Sequence, residues 1–231
     1  MSAEFDELAG GYDELLHDPV RDYFAPGSAF FVTRKMDVMM AFARRIGADT
    51  RRQTWLDVGC GKGELLRAGR AHFAAVKGCD VSAGMTDAAR DLPIAPQIDP
   101  ARIPFADASV DWVTAVCVFH HVEPRDRAGL IAEIRRVLTP GGIVAMIEHN
   151  PFNPATQLIV RRTPVDANAR LFSARWARRL LCEAGLEIAG TRHFLYVPER
   201  MYRWGSLVER ALERLPLGGQ YAVFARKPAT A

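Results

Sequence analysis

Between residues 54 and 148 the chain alternates short apolar runs rich in β-branched residues with segments of helix length, and this alternation leaves few folds open. A strand covered on both faces reads as a continuous apolar run, and a parallel connection needs a helix-length crossover. The pattern therefore predicts a parallel sheet with helices on its faces. Strands are expected at Thr54–Val58, Ala74–Asp80, Val110–Val116 and Ile143–Glu148, with a short one at Gln97–Ile98. Helices are expected at 62–72, 84–91 and 125–138, the last closed by Thr139-Pro140-Gly141-Gly142. A further helix, Ser173–Ala184, starts with a Ser173 cap and ends before Gly185. Strands Leu186–Phe194 and Tyr221–Ala225 complete a seven-stranded, mostly parallel sheet with an antiparallel strand at its edge.

Three segments stand outside the alternation: residues 1–50, 151–172 and 196–219. The first reads as an N-terminal helical cap on one domain spanning 1–231, and the other two as insertions able to form a lid over a ligand at the carboxyl ends of the strands. In the second insertion Met201, Trp204, Val208, Ala211 and Leu215 recur at helical spacing, which predicts an amphipathic helix with that stripe toward the core. No run reaches the roughly 18 uncharged apolar residues that a membrane helix needs, and the first residues are acidic, unlike a signal peptide. A cytoplasmic protein without integral membrane contact is expected, a monomer or homodimer. Cys60, Cys79, Cys117 and Cys182 have no C-x-x-C spacing, and three of them lie beside or within apolar strand-like runs, as buried thiols would, so neither a metal site nor a disulfide framework is expected. Residues 1–150 hold 17 Lys/Arg against 21 Asp/Glu, whereas residues 151–231 hold 13 against 6, so the second part carries a net charge of +7. A solvated surface is the ordinary reading of such charge, and an anionic substrate or anionic membrane surface the sharper one.

The first strand runs into Asp57-Val58-Gly59-Cys60-Gly61-Lys62-Gly63. Glycines at a strand-to-helix turn let the backbone approach a ligand closely. The dinucleotide pattern G-x-G-x-x-G differs, because here the third glycine comes one residue early and an Asp precedes the first. This disfavours an NAD-dependent oxidoreductase. Asp80 then ends the second strand, where a carboxylate can accept from both hydroxyls of a ribose.

Five blocks in order resemble the class I S-adenosylmethionine-dependent methyltransferases, in particular the small-molecule group called type 11. They are Leu56 to Gly63, Asp80-Val81-Ser82-Ala83-Gly84-Met85, Ile103-Pro104-Phe105 with Asp111-Trp112-Val113, Phe119-His120-His121-Val122, and Arg136-Val137-Leu138-Thr139-Pro140-Gly141-Gly142. The resemblance covers roughly residues 54–150. It implies a Rossmann-like doubly wound fold, with S-adenosylmethionine held by the 51–150 half. Asp57 would orient the loop and the amino group, Gly59, Cys60 and Gly61 would line the methionine moiety, and Asp80 with Val81 would hold the ribose. Met85 would lie against the adenine, Asp99 would accept from its amino group, Cys117 would meet the cofactor through its backbone, and Tyr12 would fold over it. At Asp99 the chain departs from the family, since Pro100 follows where a small Ala is usual.

Methyl transfer from a sulfonium is an in-line displacement that needs a base only for a poorly acidic hydroxyl or a protonated amine. His120 and His121 follow the fourth strand and His149 the fifth, so these three are the expected catalytic candidates. Asn150-Pro151 and Asn153-Pro154 force turn geometry and open the insertion carrying Arg161, Arg162 and Arg170. These, with Arg175, are the residues expected to hold an anionic or aromatic small-molecule acceptor. Nucleic acid is disfavoured as substrate: Cys117-Val118-Phe119-His120 stands where amino-methylating nucleic-acid enzymes carry Asn/Asp-Pro-Pro-aromatic. The sequence therefore predicts methyl transfer to a small-molecule or lipid- or sugar-linked metabolite. A non-catalytic S-adenosylmethionine-binding or scaffold protein that keeps the fold is the alternative.

Overall fold

The structure is a computed structural model, and it describes residues 5–6 and 9–229. Part of the expected N-terminal segment, residues 1–4 and 7–8, lies outside the described residues. In chain order the elements are α1 (Tyr12–Leu15), α2 (Pro19–Phe24), α3 (Ser28–Arg45), β1 (Thr54–Val58), α4 (Glu64–Gly69), β2 (Ala75–Asp80), α5 (Ala83–Asp87), β3 (Ile94–Pro96) and β4 (Val110–Val116). They continue with α6 (Arg127–Val137), β5 (Leu138–His149), α7 (Pro154–Arg162), α8 (Ala174–Glu183), β6 (Glu187–Phe194), α9 (Glu199–Leu212) and β7 (Gln220–Arg226).

The seven strands lie in the order β3-β2-β1-β4-β5-β7-β6. All pairs from β3 to β5 are parallel, and antiparallel pairing is confined to one edge, where β7 sits between β5 and β6. The chain reverses its direction of travel across the sheet between β1 and β4, which opens a crevice at their carboxyl ends.

Successive side chains of a strand face opposite sides, and here both sides are apolar. Leu56, Val58, Val113, Val144, Met146 and Val223 pack with Leu130, Ile131 and Ile134 of α6 and with Ala177 and Leu181 of α8. Trp55, Trp112, Ile143, Ala145 and Phe224 face the other way, against Met39 and Phe42 of α3 and Leu65 and Leu66 of α4. There the Phe42 and Phe224 rings stack at 3.9 Å. Two such layers account for the near-continuous apolar runs of the central strands.

Three expectations are corrected. The short strand is Ile94–Pro96, not Gln97–Ile98: Pro96 pairs with Asp80, and Ile98 is 92% exposed. The helix expected over 84–91 is a single stretch, Ala83–Asp87, capped by the Ser82 hydroxyl accepting from Met85 N. The largest difference concerns α9, whose apolar stripe Met201, Trp204, Val208, Ala211 and Leu215 points away from the core. What α9 buries instead is Glu209, which pairs with Arg34 at 2.5 Å and accepts from Tyr196 N at 3.0 Å. Gly205 permits the approach, since a Cβ there would stand 2.6 Å from Val197 Cγ1. An ion pair and a glycine dock this helix, and the pattern of apolar residues could not reveal that.

Candidate active site

A cavity of about 1070 Å³ opens over the carboxyl ends of β1, β2, β4 and β5. Its size is at the upper end for a small-molecule site, with room for two ligands side by side. Part of its wall is built by the turn after β1. Gly59, Gly61 and Gly63 all have positive φ (69°, 51° and 75°), a region that other residues rarely adopt. A Cβ at Gly59 would lie 2.5 Å from Val118 Cγ2, whereas one at Gly61 would meet nothing within 4 Å, so a ligand can approach the backbone there.

The turn is held by Asp80, whose Oδ2 accepts from Gly61 N at 2.7 Å and whose Oδ1 accepts from Ser82 N at 2.9 Å. Burial pushes the Asp80 carboxyl above its ordinary range, partly offset by these backbone donors. Below the turn Asp57 is buried at the end of a chain of donors: the Trp55 indole donates to Thr114 Oγ1 at 2.8 Å, and Thr114 donates to Asp57 Oδ1 at 2.5 Å. Burial raises the Asp57 carboxyl to about 7, opposed by Thr114 and by the charge of Lys35. Thr114→Val should lower stability by roughly 1–3 kcal/mol, because it strands the indole N–H and removes the only hydroxyl on that carboxylate oxygen. Thermal unfolding checks this, and an unchanged midpoint would show that the network carries no weight.

All ten residues expected at the cofactor line this one cavity: Tyr12, Asp57, Gly59, Cys60, Gly61, Asp80, Val81, Met85, Asp99 and Cys117. Asp99 is exposed, and its Oδ1 accepts from Ala101 N at 2.8 Å. Gln97, buried beside it, also lines the wall. Cys117 is held at φ 57°, an uncommon conformation for a residue with a side chain, where β4 ends at the cavity.

His120, His121 and His149 line the same cavity. His120 is 1% exposed, with Nδ1 2.5 Å from Glu148 Oε2 and Nε2 3.4 Å from Asp166 Oδ1. Burial opposes its charge, but the two carboxylates outweigh burial and push its pKa up to about 10, so the ring is an imidazolium. His121 and His149 are the reverse case. Burial, with His120 nearby, lowers both to about 4 and keeps them neutral. The His121 Nε2 lies 3.4 Å from the same Asp166 oxygen. His120, His121 and Asp166 bring three ligand-type atoms within 4.8 Å of one another.

Apolar side chains also line the cavity: Leu16 and Leu195 just beyond α1 and β6, Val20 and Phe24 of α2, Phe31 and Val32 of α3, and Ile159 of α7. Phe5 packs edge-on against His121 at 5.0 Å, and Asp6 accepts from Ser82 Oγ at 2.6 Å, which brings the N-terminal segment across the site. The structure does not bring the expected acceptor-binding arginines here. Arg161, Arg162, Arg170 and Arg175 are exposed and outside the cavity, Arg170 pairing with Glu123 at 3.0 Å and Arg162 lying 3.9 Å from Asp18. The reason is that α7 and α8 turn Val160 and Ala177 inward, which sends their arginines to solvent. Lys35 and Arg21 are the cations of α2 and α3 that line the cavity instead. Asp166 was invisible to motif reading because it follows Pro164-Val165 in a 3₁₀ turn far from the histidines in sequence.

Residues 56–146 match the family described as a methyltransferase domain. The chain carries a class I methyltransferase domain. S-adenosylmethionine is the cofactor of this domain, and the open backbone at Gly61 beside the Asp80 carboxylate leaves room for a ligand there. The methyltransferase domain is similar to a 27-O-demethylrifamycin SV methyltransferase of Amycolatopsis mediterranei, 34% identical over 101 residues, 39% of this chain and 36% of that one. It is also similar to a demethylmenaquinone methyltransferase of Deinococcus radiodurans, 37% identical over 112 residues and 45% of each chain. The alignments span 28% to 52% of the length of such relatives. A Thermotoga maritima structure, described as a possible histamine N-methyltransferase, shares the fold with a TM-score of 0.68 at 16% identity, covering 98% of this chain and 100% of that one. No helix among the described residues is long and apolar enough to cross a membrane.

Proposed function

We propose that this methyltransferase transfers a methyl group from S-adenosylmethionine to a largely apolar small-molecule or lipid-linked acceptor, with His121 as the base. The observation that carries the reading is that one cavity is lined by the glycine turn with Asp80, by the His121–Asp166 pair and by a set of apolar side chains. Asp80 accepts from the ribose hydroxyls, Gly59 to Gly61 lie along the methionine moiety, Met85 and Asp99 flank the adenine, and Asp57 sets the turn through Thr114. Tyr12 and Phe5 close over the ligands and exclude water. The relatives in Amycolatopsis and Deinococcus, whose names specify a rifamycin and a menaquinone precursor, support an apolar acceptor.

The cofactor supplies an activated methyl group, so the protein's task is alignment and, for a hydroxyl acceptor, removal of one proton. Asp166 holds His121 Nε2–H, leaving Nδ1 to take that proton. A base lowered to about 4 is weak, yet a hydroxyl oxygen becomes far more acidic than an imidazolium as it is alkylated, so the transfer is downhill late in the step. His120 stays charged and holds Asp166 between the two rings.

A pH profile follows. With His121 at about 4, the limb that His121 gives to kcat/KM should fall near pH 4, not near the ordinary histidine value of about 6.5, while Asp57, raised to about 7, gives a separate limb that a His121→Ala change leaves in place. A limb near 4 that persists unchanged in His121→Ala would remove His121 from the role. Incubation with methyl-labelled S-adenosylmethionine and a panel of prenylated phenols, quinols and polar metabolites tests the whole reading. Transfer to apolar hydroxyl or ring-carbon acceptors is expected. Tight cofactor binding with no transfer to any acceptor would favour the non-catalytic binding protein, and no cofactor binding would end both readings.

A further inference from the structure

Among the described residues, nothing covers the apolar outward side of α9. Met201, Trp204, Leu207 and Val208 are exposed by 55%, 79%, 71% and 53%, and Leu215, just beyond the helix, by 47%. At 3.6 residues per turn these positions share one side, with Ala211 among them, and Arg203, Arg210 and Arg214 form a row beside them. The opposite side is occupied: Glu209 is buried on Arg34, Arg34 lies 4.2 Å over the Tyr202 ring, and Gly205 abuts Val197. The exposed stripe therefore cannot turn inward without breaking a buried ion pair.

Large exposed apolar patches on a soluble domain mark contact surfaces. A helix with Trp and Leu on one side, arginines along the flank and little net apolar character has the composition of helices that lie in the headgroup region of a bilayer. Charge points the same way, since residues 151–231 hold 13 Lys/Arg against 6 Asp/Glu. Position does too. Arg200 in the first turn of α9 lies 4.0 Å over the Tyr23 ring, and Tyr23, with Tyr196 and Pro198, lines the cavity. Contact through this face would set the cavity beside the surface.

We propose that the outward face of α9 docks this protein on an anionic phospholipid bilayer. Apolar side chains enter the headgroup boundary, and the flanking arginines meet lipid phosphates. The proposal goes beyond methyl transfer and is read without cofactor or acceptor, so it stands or falls separately from the proposed function.

The test is sedimentation of the full chain with vesicles of phosphatidylcholine alone and of phosphatidylcholine with phosphatidylglycerol. Partition to the anionic vesicles should be at least about tenfold tighter than to the neutral ones, and should fall with salt. Trp204 emission should shift to the blue on binding, since Trp55 and Trp112 are already buried. The double variants Trp204→Glu with Leu207→Glu, and Arg203→Glu with Arg210→Glu, should each weaken partition about tenfold or more. These side chains are exposed, so thermal midpoints should stay near that of the parent, which separates lost docking from lost folding. No partition to either vesicle, or equal partition by parent and variants, would overturn the proposal. So would a concentration-dependent dimer that the Trp204→Glu and Leu207→Glu changes dissociate while vesicles bind nothing.

Discussion

Asp80→Ala should lower affinity for S-adenosylhomocysteine by at least about a hundredfold, since hydrogen bonds to a charged group contribute roughly 1.5–3 kcal/mol each and the ribose is expected to make two. Calorimetric titration measures it. Asp80 also accepts from Gly61 N and Ser82 N, so the loss could come from a loosened turn alone. A ligand lacking the ribose 2′-hydroxyl separates the two effects. If Asp80 holds the ribose, the parent discriminates against that ligand and the variant does not, as expected for coupled groups. Equal discrimination by both proteins would confine Asp80 to shaping the turn.

The second large effect concerns stability. Glu148 accepts from Val118 N at 3.1 Å and Phe119 N at 2.7 Å through one oxygen, and meets His120 Nδ1 at 2.5 Å through the other, while 1% exposed. Glu148→Ala leaves two backbone donors and an imidazolium buried without their partner, which should cost roughly 3–5 kcal/mol. For a chain of this size that is a fall of roughly 6–20 °C in the thermal midpoint. Glu148→Gln keeps an acceptor for the backbone and removes the charge, so it isolates the pair with His120. His120 has its folded pKa raised to about 10, so its stabilisation is fully present below about 6.5 and is lost as pH rises through about 10. The gap in midpoint between parent and Glu148→Gln should therefore be wide at pH 6 and narrow toward pH 10. A gap independent of pH would mean that the His120 charge does not contribute.

Both predictions centre on carboxylates, but they differ in how they were found. Asp80 was legible because it ends a strand after a glycine turn, a position fixed by local spacing. Glu148 ends the fifth strand in the same way, yet nothing in the chain near it says that its partner is His120, just beyond the neighbouring strand β4. Asp166 is further still from view: a single acid after Pro164-Val165, brought to His120 and His121 only by the path of the segment that follows β5.

The arginines and α9 show the complementary error. Counting charges placed Arg161, Arg162, Arg170 and Arg175 on an acceptor, and counting apolar residues placed Met201, Trp204 and Val208 in the core. The apolar count identified one side of a helix, whereas the arginines lie on α7, on the segment after it and on α8. Neither count could say what lies against a given side of a helix, and the burial of Glu209 on Arg34 turned α9 the other way.

What the sequence by itself determined is the set of features governed by neighbours in the chain: the alternation that forms the sheet, the glycine turn, and the carboxylates at strand ends beside it. These follow from periods of two and 3.6 residues and from backbone angles that only certain residues adopt. Only the tertiary structure decided which way α9 faces, that β7 enters between β5 and β6, and that Lys35, Asp166 and the apolar side chains of α2, α3 and α7 share one cavity with the histidines. Those are contacts between segments distant in sequence, fixed by the fit of one packed surface against another, which no local period records.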